Sequence, residues 1–152
     1  MKLFKPPGPI VFDEFPSVFL AGSIDMGSAA DWQTEVCSFF TNLNINVYNP
    51  RRDDWNNDWE QKIENTQFSE QVNWELQAME SADFIIMNFL PDSKSPVTLL
   101  ELGLHAAGNK LVVCCPDEFY RSGNVHIVCN KYSIPLFKHM KDLLISLNLN
   151  KR

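Results

Sequence analysis

Ala82 to Gly108, ADFIIMNFLPDSKSPVTLLELGLHAAG, joins an aspartate-containing apolar run to a segment that is apolar on almost every side. The first part, Ala82–Leu90, is the most hydrophobic candidate strand in the chain, and its length and flanks predict a central, buried position. The second part, Ser95–Gly108, carries Leu99, Leu100, Leu102, Leu104, Ala106 and Ala107, the pattern of a helix buried against a sheet, with Gly108 as its C-cap. One carboxylate, Glu101, stands inside that helix. Glu is among the residues least often buried without a partner. In an open α/β sheet this position faces the crevice at the carboxyl ends of the strands, where ligands bind. The plainer account is an acid favoured by the helix dipole and paired with His105 one turn on.

Working outward, strands and helices alternate. Ser17–Gly22 (SVFLAG) predicts a strand, and Ala29–Leu43 a helix with Trp32, Val36, Phe39, Phe40 and Leu43 at helical spacing. Asn44–Asn49 predicts a second strand, and Phe68–Ser81 a helix with Val72, Leu76 and Met79 on one face. After the Glu101 helix come a fourth strand, Lys110–Cys115, a loop, Pro116–Gly123, a fifth strand, Asn124–Asn130, and a closing helix, Pro135–Asn148. Alternation of this kind predicts a doubly wound parallel sheet of five strands in three α/β/α layers, with the flavodoxin-like (Rossmann-like) order 2-1-3-4-5. Residues 1–16 form an irregular, proline-rich arm in this reading, and residues 17–152 a single domain.

The 152 residues suffice for one proper core, and 45% hydrophobic against 21% charged residues is an ordinary globular balance. A net charge of −6 argues against a nucleic-acid polymer as partner, but leaves room for a nucleoside or nucleotide, which needs only a local site. No apolar run reaches membrane-spanning length, and the arm lacks the apolar core of a signal peptide. The cysteines at 37, 114, 115 and 129 show no metal-ligand spacing, and three of them lie in apolar runs. No metal site is expected, and the setting expected is reduced and cytoplasmic.

In the predicted topology, the turn after strand one, the end of strand three and the start of the Glu101 helix meet at the switch point. The turn is GSIDMGSAAD, residues 22–31. Gly22 and Gly27 have phosphate-loop spacing, yet Ser28 stands where a Walker loop needs Lys, and Ile24 where a dinucleotide loop needs Gly. What is left is a tight turn offering backbone N–H groups, the Ser23 hydroxyl and the Asp25 carboxylate, suited to a sugar or a single phosphate. A plain strand-to-helix turn is the competing account. Glu75, between Trp74 and Leu76, is a candidate for a raised pKa and general-acid duty, or else a solvated helix acid. Two carboxylates at a sugar-sized crevice suit glycosidic-bond chemistry, one at the anomeric carbon and one at the leaving group. Residues 51–66, with Arg51, Arg52, Trp55 and Trp59, form a long polar connection of the kind that tends to be functional.

The segments FLAGSIDMG, QVNWELQAMESADFII and SPVTLLELGLHAAGNKLVV together resemble the nucleoside 2-deoxyribosyltransferases and the related 2′-deoxynucleoside 5′-phosphate N-hydrolases, over about residues 18–130. The resemblance implies a flavodoxin-like fold and assigns Glu101 as the nucleophile, which forms a 2-deoxyribosyl ester that a second base or water resolves. It implies that Glu75 handles the nucleobase and that Gly22, Ser23, Asp25 and Gly27 face the sugar or phosphate. It further implies a homo-oligomer with shared active sites, in which Asn124 and its neighbours reach an adjacent subunit, and a reaction needing no cofactor. Two positions point in opposite directions. Ser95, six residues before Glu101, is what the nucleotide hydrolases carry where transferases tend to have Asp; Asp25 stands where those hydrolases carry Arg. The expected activity is 2-deoxyribosyl transfer between nucleobases. Hydrolysis of 2′-deoxynucleoside 5′-monophosphates, a non-catalytic nucleotide-binding module and a glycosidase acting on a larger nucleotide are the alternatives.

Overall fold

The computed structural model describes residues 1–25 and 29–147. Its elements run β1 (Lys2–Phe4), β2 (Ser17–Gly22), α1 (Trp32–Phe40), β3 (Asn46–Tyr48), α2 (Thr66–Ser81), β4 (Phe84–Asn88), α3 (Pro96–His105) with a 3-10 turn (Ala106–Gly108), β5 (Leu111–Cys114), α4 (Ser122–Tyr132), β6 (Leu136–Phe137) and α5 (Met140–Ser146). The strands form one sheet in the order β1-β3-β2-β4-β5-β6, with every pairing parallel. Leaving β1 aside, this is the 2-1-3-4-5 order expected, and the doubly wound α/β/α class holds.

The layers follow from the strand sequences. In β2, Val18 and Leu20 join Trp32, Val36 and Phe40 of α1 and Leu143 and Leu144 of α5 in one core. Phe19 and Ala21 turn the other way, to a second core with Trp74 and Met79 of α2, Leu102 of α3 and Val125 and Cys129 of α4. A strand covered on both faces needs a continuous apolar run, which is what SVFLAG and FIIM supply. Asp83 fixes the start of β4 against β2: its Oδ2 accepts from Ser17 N (2.7 Å) and Ser17 Oγ (2.8 Å). Asp31 caps α1 through Thr34 N, and Asn65 caps α2 through Phe68 N.

Four expectations require correction. Residues 124–130 are helix, not strand; Val125 and Cys129 are buried while Ile127 is exposed, so the run has one inward stripe. The fifth strand of the expected sheet is instead Leu136–Phe137, and the last helix shortens to Met140–Ser146; Asn148, its expected end, lies outside the described residues. The arm is not irregular throughout: Lys2–Phe4 pairs with β3, and Phe4 packs on Tyr48 at 5.7 Å between ring centroids. Gly108 ends the 3-10 turn, and the left-handed cap conformation falls on Asn109 (φ 55°).

The α3 helix also has two unlike faces. Thr98, Glu101 and Leu102 are buried, whereas Val97, Leu100 and Leu104 are each more than half exposed. It is therefore not buried on all sides, and Glu101 belongs to its inward face.

Candidate active site

A cavity of about 1080 Å³ opens at the carboxyl ends of β2 and β3, beside the first turns of α3. Gly22, Ser23 and Asp25 form one wall, Ser95 to Thr98 with Glu101 a second, and Gln71 and Glu75 of α2 a third. Arg51, Arg52, Trp55 and Gln61 of the connection after β3 line a fourth side, and Lys5 of the N-terminal arm and Thr34 of α1 also border the cavity. The switch point of the sheet thus brings together Gly22, Ser23, Asp25, Glu75, Ser95 and Glu101, as the topology requires. Gly27 lies outside the described residues. Asn124 is not in this cavity; exposed on α4, it borders a separate shallow hollow with Leu99, Leu102, Gly103, Val125 and Val128.

Backbone geometry at the crevice is exacting. Gly22 has φ +150°, and a Cβ there would lie 2.4 Å from Asn88 O and 2.8 Å from the Trp32 ring. Glycine lets β2 leave the sheet tightly against β4, and Trp32 then donates from Nε1 to Ser23 O (3.0 Å). Asp25 and Ser95 both adopt left-handed φ of 47° without being glycine. Strained non-glycine residues cluster at working sites, where surrounding contacts hold them. Ser95 is held by a serine cluster: its Oγ is 2.5 Å from Ser23 Oγ and 2.7 Å from Ser93 Oγ, and Ser93 Oγ donates to Asp25 Oδ1 (2.8 Å).

The two carboxyls are the chemical centre. Glu101 is 7% exposed, and among the described residues no hydrogen bond or ion pair reaches its carboxyl. Pairing with His105 is not observed. Burial, then the charge of Glu75, push the Glu101 pKa up to about 8. Burial pushes Glu75 up to about 7, opposed by a hydrogen bond from Gln71 Nε2 to Glu75 Oε1 (2.8 Å). Trp74 is not the cause: its ring packs near Phe19, and its Nε1 donates to Gly8 O (2.7 Å). Adjacent helix residues point about 100° apart, so sequence neighbours do not share an environment. Two like charges in one desolvated cavity titrate as a pair, and near neutrality the pair retains about one proton.

Sequence reasoning missed Gln71 and Ser93. Gln71 bonds Pro50 O (2.9 Å) as well as Glu75, tying the connection after β3 to the acid. Its signal was available, since it precedes Glu75 by four residues on one helix face. Ser93 had none, because its role depends on the left-handed turn at Ser95. Beyond β3, Arg52 pairs with Asp54 (2.6 Å) and lies over the Trp59 ring at 4.9 Å, with Trp55 edge-on to Trp59 at 5.2 Å. That polar connection is an ordered wall of the cavity. Among the described residues, no three His, Cys, Asp or Glu side chains converge as metal ligands do. Cys114, Cys115 and Cys129 are buried with pKa values raised to about 11, 12 and 11.

A parallel α/β sheet with a cavity, an acid pair and a hydroxyl-lined turn at its switch point defines a class: doubly wound α/β proteins of Rossmann-like or flavodoxin-like architecture. The sequence profile of the nucleoside 2-deoxyribosyltransferase-like proteins matches residues 15–119, and the chain belongs to that family. Its members act on 2′-deoxynucleosides or nucleotides in glycosidic-bond chemistry. No curated protein matches the chain significantly in sequence. The matched span holds Gly22, Ser23, Asp25, Glu75, Ser95 and Glu101, and no described helix is long and apolar enough to cross a membrane.

Proposed function

We propose that this protein transfers a 2-deoxyribosyl group between nucleobases through an ester on Glu101. The observation that carries the reading is a buried, unbonded Glu101 carboxyl facing the same cavity as a second proton-retaining acid. In the first half-reaction a Glu101 carboxylate oxygen bonds to the anomeric carbon as the bond from that carbon to the base nitrogen breaks. The bonding pair leaves with the base, and Glu75 supplies the proton that neutralises it. In the second, the nitrogen of an incoming base attacks the same carbon, Glu101 departs as carboxylate, and the proton of the new base returns to Glu75. The low-dielectric wall that raises both pKa values also strengthens the attraction of the Glu101 carboxylate for the developing oxocarbenium charge. Gln71 fixes the Glu75 side chain from one turn away.

The pair has to start with its proton on Glu75. The Gln71 hydrogen bond on its own favours ionised Glu75. Substrate binding has to reverse that balance, and a base nitrogen close to Glu75 does so by accepting a hydrogen bond from the protonated acid.

Incubation with deoxyinosine and free adenine tests the reading. Deoxyadenosine should appear only with acceptor present, and Glu101→Gln should fold and lose at least about a thousandfold in rate, as expected when a nucleophile is removed. Retained exchange in that variant overturns the assignment. Hydrolysis of 5′-monophosphates is the second reading, favoured by the Ser95 hydroxyl at the wall; it predicts free base without acceptor, from monophosphates alone. Stabilisation by nucleosides without turnover marks a binding module. The proposal includes self-association: Val97, Leu100 and Leu104 form an exposed apolar stripe on α3 that starts at the cavity rim. Sedimentation showing only monomer removes that part.

A further inference from the structure

The cavity that holds the two acids continues past them into an annex between β1 and α1. Thr34, Cys37, Ser38 and Thr41 line one side of the annex, and Met1, Leu3 and Lys5 the other. Helical spacing accounts for the first side. The four positions fall at i, i+3, i+4 and i+7, a single stripe about 10 Å long. It is distinct from the stripe of Trp32, Val36 and Phe40 that meets the core. Strand register accounts for the second side. Leu3 pairs with Val47, and Val47 with Val18, so the three side chains share the face of the sheet on which α1 packs. Val18 and Val47 are fully buried there, whereas Leu3, one strand further out, is 44% exposed. Strand β1 thus widens the sheet beyond the part that α1 covers, and the annex is the space left beside Leu3.

The polar groups of the annex are engaged within the protein. Thr34 Oγ1 donates to Asp31 Oδ2 (2.8 Å), Ser38 Oγ to Thr34 O (2.9 Å) and Thr41 Oγ1 to Cys37 O (3.2 Å). Lys5 Nζ meets Asp53 Oδ1 at 2.6 Å, and Asp31 and Arg51 at the mouth are again of opposite sign. No net charge is left for an ionic guest to match. An apolar guest finds the Met1, Leu3 and Cys37 side chains and the methyl groups of Thr34 and Thr41, and gains by covering them.

In the base-exchange reading, Glu101 meets the anomeric carbon, with Ser23 and Ser95 on the sugar side. The base is then left the side lined by Trp55, Phe68, Gln71 and Glu75. The outer wall of that side is the connection after β3, which the Lys5–Asp53 pair ties to β1 at the annex. The edge of a purine furthest from its sugar therefore looks toward the annex. A plain nucleoside is also small for the space: the cavity of about 1080 Å³ exceeds the range of about 300–1,000 Å³ that suits drug-sized ligands.

We infer that the annex receives an uncharged, apolar substituent on the exocyclic nitrogen of a purine base, so that the protein accepts nucleosides with an alkylated base. The inference rests on the base-exchange reading and goes beyond it. Met1, Leu3 and Lys5 lie outside residues 15–119, the span that matches the family profile.

Titration calorimetry of the full chain with N6-hexyl-2′-deoxyadenosine and with 2′-deoxyadenosine tests it without turnover. The hexyl nucleoside should bind at least about tenfold tighter, since covering even two or three methylene groups supplies that factor. Cys37 gives an independent readout, because the other three cysteines are buried. Saturating hexyl nucleoside should slow alkylation of Cys37 by N-ethylmaleimide at least about fivefold, and 2′-deoxyadenosine should change it by less than about twofold. Cys37→Trp fills the annex and should bring the affinity ratio to within about twofold of one. Leu3→Lys, at a half-exposed position on the sheet edge, should lower the ratio in the same way and serves if Cys37→Trp does not fold. A wild-type ratio near one, Cys37 left unprotected by the hexyl nucleoside, or a ratio that survives in the folded variants overturns the inference. Base exchange from deoxyinosine with a ratio near one removes the inference and leaves the transfer reading. Tighter, Cys37-protecting binding of the hexyl nucleoside without base exchange does the reverse, and no binding of either nucleoside removes both.

Discussion

At the scale of single residues, Glu101 and Glu75 couple stability to chemistry. Burial holds protons on both carboxyls that the unfolded chain gives up from its ordinary value of 4.5 upward. The folded chain therefore binds more protons between about 4.5 and about 8, and stability falls as pH rises through that window. Glu101→Gln removes most of this cost. It should raise stability by on the order of 2 kcal/mol at pH 8 and leave it nearly unchanged at pH 4, as read by urea unfolding at both values. The proposed reaction needs one proton on the pair, so kcat/KM should follow a bell whose two limbs belong to the pair and lie above the ordinary carboxylate range. In Glu75→Gln the charge that helps raise Glu101 is gone, and the acid limb of the residual activity should move to lower pH. Gly22 is the steric counterpart. Gly22→Ala drives a methyl into Asn88 O and Trp32 and should cost about 3 kcal/mol, a Tm fall of roughly 10 °C by calorimetry.

At the scale of elements, the connection after β3 and the helices α2 and α3 act as separate walls. The Arg52 guanidinium, its side chain 6% exposed, joins Asp54 to the Trp59 face and so orders the connection. Arg52→Ala should raise the KM for nucleoside by about five- to tenfold, in line with a lost cation–π contact, and change kcat little, because the acids sit on other elements. Iodide quenching of tryptophan fluorescence should increase in the same variant as Trp55 and Trp59 loosen; unchanged quenching and KM would show that the wall holds without Arg52. Helices α1 and α2 could be read from apolar spacing, since Trp32, Val36 and Phe40 repeat every four residues, whereas their caps Asp31 and Asn65 emerge only in the structure. Residues 124–130 could not. NVHIVCN is a short apolar run of β-formers, and such runs do not distinguish strand from helix. Packing decided it: Val125 and Cys129 meet the core from one helical face, and the sheet position they were expected to fill is taken by Leu136 and Phe137.

At the scale of the whole molecule, the sheet has one more strand than the α/β alternation demands. Lys2–Phe4 extends it beyond β3, Tyr48 Oη donates to Val11 O (3.0 Å), and Trp74 Nε1 reaches Gly8 O. The arm thereby covers the edge of β3 and the outer end of one core. Deleting residues 1–8 should leave a folded protein weakened by about 2–4 kcal/mol, given three lost strand pairings and the buried side of Phe4. Thermal unfolding should show a single transition at lower temperature, and an unchanged Tm would mean that the arm is ornamental. The sequence alone determined the class of fold and the order of the inner strands, which follow from periodicity and strand length, both properties of neighbouring residues, and it marked Glu75 and Glu101 as candidate acids whose roles only the family resemblance supplied. Only the tertiary structure decided that Gln71 holds Glu75, that Ser93 links Ser95 to Asp25, that α3 turns one apolar face outward, and that β1 joins the sheet. Each of these depends on groups brought together from distant parts of the chain or on a turn no local pattern specifies.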